Sequence, residues 1–237
     1  MSIENNVAKI REKIRSAAIT AGRNPDNILL CAATKMNNAD AVKQAIQAGV
    51  DCCGENRVQE LTAKLQENAY EGAPVHFIGH LQTNKVRAVV GKVDLIQSVD
   101  SLRLLEAINK EAEKQNIRQA VLLEVNIGNE SSKSGFLASE IQKILPLISK
   151  YRNILVKGLM AIPPICQNGR ENRKFFQEMY HLSVDIMQKK YDNICVDILS
   201  MGMSDDYEDA IACGSTMIRI GTAIFGARDY GNSHSPK

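Results

Sequence analysis

The chain has 237 residues, of which 44% are hydrophobic and 24% are charged, and its formal net charge is +2. These values are ordinary for a soluble globular protein, and the length suits one sizeable α/β-barrel domain or two small domains. Neither nucleic-acid nor membrane binding is indicated, because there is no block of like charge, no apolar run of membrane-spanning length and no signal-peptide pattern at residues 1–5.

The first predicted element is an amphipathic helix over residues 3–22, with apolar residues at helical spacing and Gly22 at its end. An alternation of strands and helices then continues along the chain. Apolar runs that predict strands cover residues 28–35, 51–55, 75–81, 93–99, 120–127, 154–162, 194–202 and 216–225. Helical patterns lie between most of them, at residues 38–49, 57–67, 85–91, 101–115, 138–150, 170–190 and 205–213.

Several of the strand runs are apolar and β-branched throughout, which is typical of parallel strands covered on both faces. About eight βα units in a chain of this length predict a single (β/α)8 TIM-type barrel with an additional N-terminal helix. A doubly wound sheet is the alternative, but no G-x-G-x-x-G follows the first strand. We expect one domain over residues 1–230 and a disordered tail over residues 231–237.

The six cysteines form neither a C-x-x-C pair nor a cluster with histidine in the sequence, so no metal site is predicted. Cys31, Cys52, Cys53 and Cys195 lie in apolar runs, which favours inert packing as small hydrophobic residues over redox activity. We expect the cytoplasm as the compartment, where thiols stay reduced.

Polar residues collect at the carboxyl ends of the predicted strands, where barrel proteins carry out chemistry. Lys35 ends the first strand, and an ammonium group there costs free energy unless it has a use, such as that of an amine nucleophile. The other strand ends carry Glu55, Asn56, His80, Asn84, Asp100, Glu124, Asn126, Met160, Ser200, Ser204, Arg219, Gly221 and Thr222. The opposite ends carry mostly plain turn residues, and this asymmetry predicts a site.

The residues at the last two strand ends indicate a ligand with a phosphate group and a heteroaromatic ring. The loops after strands seven and eight of a barrel often bind phosphate through backbone N–H groups and a hydroxyl, which Gly221 and Thr222 can supply. Arg219 and Gly221 share one face of the last strand. A guanidinium inside a barrel needs a partner, and a heteroaromatic ligand nitrogen or the carboxylate of Glu124 are the candidates.

Together these features resemble the pyridoxal-phosphate barrel of alanine racemase and, more closely, the single-domain pyridoxal phosphate homeostasis protein family. The motifs span almost the whole chain in order: A-T-K at 33–35, G-E-N-R-V-Q-E at 54–60, H-F-I-G-H-L-Q-T-N-K at 76–85, S-K-S-G at 132–135, G-L-M at 158–160, L-S-M-G-M-S-D-D at 199–206 and R-I-G-T-A-I-F-G at 219–226. The family often has a second lysine two residues after the lysine that binds the cofactor, and Asn37 stands there in this chain.

The resemblance implies that the cofactor is pyridoxal 5'-phosphate, held as a Schiff base on Lys35. It also implies a set of cofactor contacts: Ser200, Gly221 and Thr222 at the phosphate, Arg219 at the pyridine nitrogen, Asn56 beside the ring and Met160 near its face. Spacing alone favours core packing for Met160.

The function implied is a carrier or buffer in vitamin B6 homeostasis, with little or no turnover and no catalytic residue. An arginine opposes protonation of the pyridine nitrogen, which makes the ring a poorer electron sink. We expect the chain to lack the second racemase domain, and with it the tyrosine base and the dimer interface, so a monomer is expected. Apo-enzymes that need the cofactor are candidate partners. The alternatives are a racemase of low activity and an unrelated barrel enzyme acting on a phosphorylated sugar or acid.

Simpler interpretations of several residues stay open at this point. Ser200 and Ser204 are natural helix-capping residues, and Asn56 could satisfy backbone groups at its strand end. The pattern favours a neutral, hydrogen-bonded side chain for His80. Lys133 lies in a polar loop and would ordinarily be solvated, whereas the resemblance implies a secondary part in cofactor handling.

Overall fold

The computed structural model describes residues 2–164 and 169–226. Its strands are β1 (Leu29–Ala33), β2 (Cys52–Glu55), β3 (Val75–Phe77), β4 (Leu95–Val99), β5 (Gln119–Val125), β6 (Ile154–Ala161), β7 (Ile194–Ser200) and β8 (Met217–Ile220). They form a closed barrel in sequence order, and the last strand pairs in parallel with the first. The predicted barrel is confirmed.

The helices cover the outside of this barrel. They are α1 (Ile3–Thr20), α2 (Ala39–Gln47), α3 (Val58–Gln66), α4 (Leu102–Lys114), α5 (Ala138–Ile148), α6 (Arg173–Met187), α7 (Tyr207–Ala212) and α8 (Thr222–Phe225). The predicted N-terminal helix is confirmed as α1, and Ser2 caps it because the Ser2 side chain accepts a hydrogen bond from the Asn5 N–H. Among the described residues, no helix is long and apolar enough to cross a membrane.

Two predicted elements differ in the structure. The helix expected over residues 85–91 is a 3₁₀ helix, Thr83–Ala88. Val86 in this helix and Val89 directly after it are still buried, because residues three apart lie on one side of a 3₁₀ turn. The apolar run 216–225 is not one strand: β8 ends at Ile220 and α8 begins at Thr222. The tail predicted over residues 231–237 lies outside the described residues.

The barrel wall separates the apolar residues outside it from those inside it. The large core lies between the strands and the helices, and it includes Cys53. Two small clusters form apart from it, one of Cys31, Cys52 and Met217 and the other of Leu95, Leu122 and Met160. Because neighbouring residues of a strand point to opposite faces, Cys52 points into the barrel and Cys53 points towards the helices.

Candidate functional site

Lys35 lies in a tightly held turn directly after β1, and the residue is partly buried. Met36, which follows it, has φ of 62°, a left-handed conformation that costs free energy in a residue other than glycine. The Met36 N–H donates to Glu60 Oε2 at 2.6 Å, and Asn37 Nδ2 donates to the Lys35 carbonyl oxygen at 3.0 Å. These hydrogen bonds fix the backbone on which the Lys35 amine is carried.

A buried ion pair contacts the backbone directly before the same turn. Lys64 Nζ lies 2.6 Å from Glu55 Oε2, with side-chain exposures of 7% and 0%, and it also donates to the Thr34 carbonyl oxygen at 2.8 Å. The hydroxyls of Thr34 and Tyr70 donate to the same Glu55 oxygen at 3.0 and 3.2 Å. Sequence reasoning missed Lys64, although its position three residues after buried Leu61 on α3 placed it on the inner helix face.

The pairing of β8 with β1 closes the barrel and brings the predicted site residues of the last strand towards Lys35. Arg219 of β8 is the direct partner of Cys31 on β1. One step further along, a Cβ placed on Gly221 would lie 3.5 Å from the Ala33 Cβ, so Gly221 borders the end of β1. Thr222, at the start of α8, is exposed at the same end. The structure therefore gathers Lys35, Arg219, Gly221 and Thr222 at one part of the barrel mouth.

Arg219 is held by the strands across the barrel. Its Nη1 donates to Ser200 Oγ at 2.7 Å and its Nη2 donates to the Ala161 carbonyl oxygen at 2.9 Å, and the residue is 5% exposed. Burial lowers the pKa of the guanidinium, while the Cys31 thiol and the Glu124 carboxylate oppose that shift. The carboxylate pairing considered for Arg219 is therefore a longer-range attraction, beside two shorter hydrogen bonds.

Ser200 is fully buried, and its hydroxyl is used twice. It accepts from Arg219 and donates to Gln97 Oε1 at 2.7 Å. Neither Ser200 nor Ser204 caps the next helix, because the N-cap of α7 is Asp206, whose carboxylate accepts from the Met203 N–H. Ser200 thus holds the guanidinium, whereas Ser204 lies partly exposed in the turn that follows β7.

Asn56 presents an unsatisfied polar atom at the end of β2. Its Oδ1 is buried and has no hydrogen-bond partner among the residues the structure describes. A buried carbonyl oxygen without a donor costs about 1–3 kcal/mol, so a ligand donor there is favoured. Met160, by contrast, is 1% exposed and packs with Leu95 and Leu122, as its spacing indicated.

An acid–base group lies at the same end of the barrel. Burial and the nearby Asp100 carboxylate raise the pKa of Glu124 to about 7, while Arg219 and His80 oppose this increase. His80 is exposed, and its Nδ1 lies 3.2 Å from Asp100 Oδ2. Sequence reasoning considered Glu124 only as a partner for arginine, because its acidity depends on burial and on neighbours from other strands.

The loop after β5 is tied to the next strand end. Lys133 Nζ donates to the Pro163 carbonyl oxygen at 3.0 Å and pairs with Glu130 Oε2 at 2.5 Å. Asn126 Nδ2 donates to the Glu130 carbonyl oxygen at 2.8 Å and closes the loop on itself. Lys133 is therefore a loop-fixing residue in this structure and not simply a solvated one.

The barrel interior below Ser200 holds a cluster that the sequence did not indicate. Gln97 Nε2 lies 2.9 Å from His76 Nδ1, which continues the hydrogen bonds from Ser200 inwards. The ligand atoms of His76, Cys31 and Cys52 all lie within 4.8 Å of one another. Sequence spacing does not bring these three side chains together, because they come from three different strands.

The mouth of the barrel carries groups of several chemical kinds. It combines a positioned amine, a buried guanidinium, a Gly–Thr turn and an amide oxygen that lacks a donor. An amine condenses with aldehydes, a guanidinium donates to a ring nitrogen, and a turn with a hydroxyl binds phosphate.

Comparison with known proteins gives consistent relatives. Residues 2–229 match the family model described as alanine racemase, N-terminal domain. The pyridoxal phosphate homeostasis protein of Escherichia coli (strain K12) is 41% identical over 232 residues, covering 96% of this chain and 97% of that protein. The one from Aquifex aeolicus (strain VF5) is 39% identical over 230 residues, covering 97% and 100%. PipY of Synechococcus elongatus PCC7942, solved with PLP bound, has a TM-score of 0.81 and 30% identity, covering 95% of this chain and 100% of PipY.

Proposed function

The chain belongs to the pyridoxal phosphate homeostasis protein family, and from this membership we propose that it binds pyridoxal 5'-phosphate (PLP) at the mouth of its barrel. Its role is that of a carrier or buffer of the cofactor, with little or no turnover. The relatives' names and the PLP-bound structure of PipY support the ligand.

The observation that carries this proposal is the pairing of the last strand with the first. It puts Arg219 beside Cys31 and Gly221 beside Ala33, next to the turn that presents Lys35. A Gly–Thr turn, a guanidinium and an amine thereby lie at the ends of two neighbouring strands, and this supports the binding of a single small phosphorylated cofactor.

Bound PLP supplies an aldehyde that condenses with an amine. In our proposal the Lys35 amine takes this part: a carbon–nitrogen double bond forms and one water molecule leaves. Gly221 contributes a backbone N–H to the phosphate, and the Thr222 hydroxyl donates to it. We assign the serine contact with the phosphate to Ser204. Ser200 instead holds Arg219, because its hydroxyl already donates to Gln97 and accepts from Arg219.

Arg219 and Asn56 complete the proposed ring site. Arg219 donates to the pyridine nitrogen and, being cationic, opposes its protonation, so the cofactor is held with little activation. Asn56 Oδ1 lacks a donor in this structure, and the ring hydroxyl of PLP is a group that can supply one. Met160 lies in the floor beneath the ring and packs the barrel.

The test is a titration of the apoprotein with PLP, followed by borohydride reduction and peptide mass mapping. We expect a visible absorption band and a reduced adduct on the peptide that contains Lys35. Lys35→Ala removes both, whereas Lys85→Ala, a lysine elsewhere on the same end of the barrel, keeps both. An adduct that forms equally on Lys35→Ala, or no adduct on the wild type, overturns the proposal.

Glu124 favours a second candidate function, a PLP-dependent amino-acid racemase of low activity. A carboxyl group with a pKa of about 7 can both accept and donate a proton near neutral pH. Incubation of the PLP-loaded protein with L-alanine and measurement of the enantiomer ratio decide between the two. Turnover at about 1 per second or faster, lost in Glu124→Gln, establishes the enzyme and refutes the carrier.

Delivery of the cofactor to apo-enzymes and a monomeric state are further parts of the proposal. Mixing the loaded protein with an apo-enzyme, with a PLP-scavenging phosphatase present to remove free cofactor, tests direct transfer. Recovery of enzyme activity under these conditions supports the carrier role, and complete loss of recovery opposes it. Sedimentation of the loaded protein at the mass of one chain is the result expected for a monomer.

A further inference from the structure

Four buried polar side chains form a line of hydrogen bonds across the inside of the barrel. Arg219 Nη1 lies 2.7 Å from Ser200 Oγ, and Ser200 Oγ lies 2.7 Å from Gln97 Oε1. Gln97 Nε2 continues the line to His76 Nδ1 at 2.9 Å and also lies 3.2 Å from Met217 Sδ. Each of the four polar residues is at most 7% exposed, so water competes little for these bonds.

The direction of every bond in this line follows from its first donor. A guanidinium has no acceptor, so Ser200 Oγ accepts from Arg219, and the single Ser200 hydroxyl hydrogen goes to Gln97 Oε1. The amide nitrogen of Gln97 then faces two acceptors, the Met217 sulfur and His76 Nδ1. His76 Nδ1 therefore carries no proton, and the proton of the neutral ring is on Nε2.

Gln97 decides what the Ser200 oxygen presents to Arg219. Because Gln97 Oε1 takes the hydroxyl hydrogen, a lone pair of Ser200 Oγ faces the guanidinium. Without this acceptor the hydroxyl is free to rotate, and the bond to Arg219 Nη1 weakens. The Ala161 carbonyl oxygen, 2.9 Å from Nη2, is then the stronger of the two anchors, and the guanidinium can pivot about it.

We propose that Gln97 is a positioning residue for Arg219, and that it thereby makes the site select ligands with an acceptor nitrogen in the ring. This inference rests on the proposed function, in which Arg219 donates to the pyridine nitrogen of PLP. Two anchors fix the plane of the guanidinium and use two of its five N–H groups. A ring with C–H in place of the nitrogen leaves a buried, charged donor unpaired, which a fixed guanidinium cannot avoid by moving.

The test compares PLP with its carbocyclic analogue, in which C–H replaces the ring nitrogen while the aldehyde and the phosphate are kept. Both compounds are titrated into the whole chain, and the selectivity is the Kd of the analogue divided by the Kd of PLP. Differences in the reactivity of the two aldehydes cancel when the selectivities of two protein variants are compared.

We expect the wild type to bind PLP more tightly than the analogue. Gln97→Met keeps the size of the side chain but lacks the amide oxygen, and its selectivity should fall at least about fivefold. Ser200→Ala removes the hydroxyl itself and should lower the selectivity likewise, so the result does not depend on the folding of one variant. Circular dichroism checks that each variant is folded.

Gln119→Met is the matched control. Gln119 is a second buried glutamine, 3% exposed, at the start of β5 and so at the opposite end of the barrel from the proposed cofactor site. Its side chain accepts from the Gly91 N–H and donates to the Val93 carbonyl oxygen. This variant should lose stability as Gln97→Met does, but its selectivity should stay within about twofold of the wild type.

A second measurement needs no cofactor. Nitrogen NMR of the apoprotein, with the signals assigned by comparison with His76→Asn, should show His76 Nδ1 without a proton. In Gln97→Glu a carboxylate oxygen faces Nδ1 in place of the amide nitrogen, so Nδ1 should become protonated. The Ser200 hydroxyl keeps its acceptor in this variant, and the selectivity should be retained.

Three results overturn the inference while PLP binding stands. One is a selectivity within about twofold of the wild type in folded Gln97→Met and Ser200→Ala. Another is a loss of selectivity in Gln119→Met as large as that in Gln97→Met. The third is a protonated His76 Nδ1 in the wild-type apoprotein. Wild-type protein that binds neither compound overturns the proposed function, and this inference with it.

Discussion

Lys64→Met is expected to destabilise the protein strongly, because it leaves a buried carboxylate without its cation. The Lys64–Glu55 pair is 2.6 Å long, and its side chains are 7% and 0% exposed. Removing one partner of such a pair costs about 3–5 kcal/mol. The Thr34 carbonyl oxygen also loses its donor, which adds about 1 kcal/mol. The free energy of unfolding of a domain is only about 5–15 kcal/mol, so this variant should lose a large share of its stability.

Urea unfolding followed by circular dichroism measures this loss. The matched control is Lys110→Met, which removes an ion pair of similar length, 2.7 Å, with side chains 65% and 51% exposed. That variant should lose little stability, because water and salt screen an exposed ion pair. The double variant Glu55→Gln with Lys64→Met should recover part of the loss, because no uncompensated charge then stays buried.

The same variants test whether the ion pair serves the proposed cofactor site. Thr34 precedes Lys35, and Lys64 donates a hydrogen bond to the Thr34 carbonyl oxygen. We therefore expect weaker PLP binding in Lys64→Met and unchanged binding in Lys110→Met under conditions where both are folded. A Lys64→Met protein whose stability lies within 1 kcal/mol of the Lys110→Met protein would refute the reasoning from burial.

Three more outcomes follow from the contacts. The pKa of Glu124 is raised from 4.5 to about 7 in the folded protein, so the folded state favours the protonated carboxyl group. This contribution to stability is complete below about pH 4.5 and is lost as the pH rises through 7. The free energy of unfolding should fall by up to about 3 kcal/mol more over this range in the wild type than in Glu124→Gln; equal pH profiles would contradict this. Ser200→Ala removes the hydroxyl between Arg219 and Gln97, and urea unfolding should show a loss of about 1.5–3 kcal/mol. Gly158→Ala places a Cβ 1.8 Å from the Ile198 carbonyl oxygen at φ of 150°, so a loss of at least about 3 kcal/mol is expected, and a thermal midpoint equal to that of the wild type would show that the strand bulge relaxes freely.

Most of the barrel could be predicted because the strands are long apolar runs and local spacing carries that information. Seven of the eight strands lie inside the predicted runs, and β5 begins one residue earlier, at Gln119. The final run misled because an apolar sequence does not show where a strand becomes a helix. There the chain turns at Gly221, and α8 continues the apolar pattern.

Part of the candidate site could also be predicted, since a barrel places all strand ends with one polarity at the same mouth. This argument located Lys35, Asn56 and the Gly221–Thr222 turn, although their cofactor contacts stay predictions. It did not show that the Ser200 hydroxyl is already used by Arg219 and Gln97, since these side chains come from different strands.

The order of strands and helices, and the end of the barrel that carries polar groups, follow from residues close together in the chain. Contacts such as Lys64 with Glu55, or His76 with the two cysteines, do not. They depend on strand register and on which helix face meets the barrel, and a shift of one residue would turn each side chain to the opposite face. Burial then sets the chemistry of these groups, because the removal of water and the nearness of charges arise only when the barrel closes.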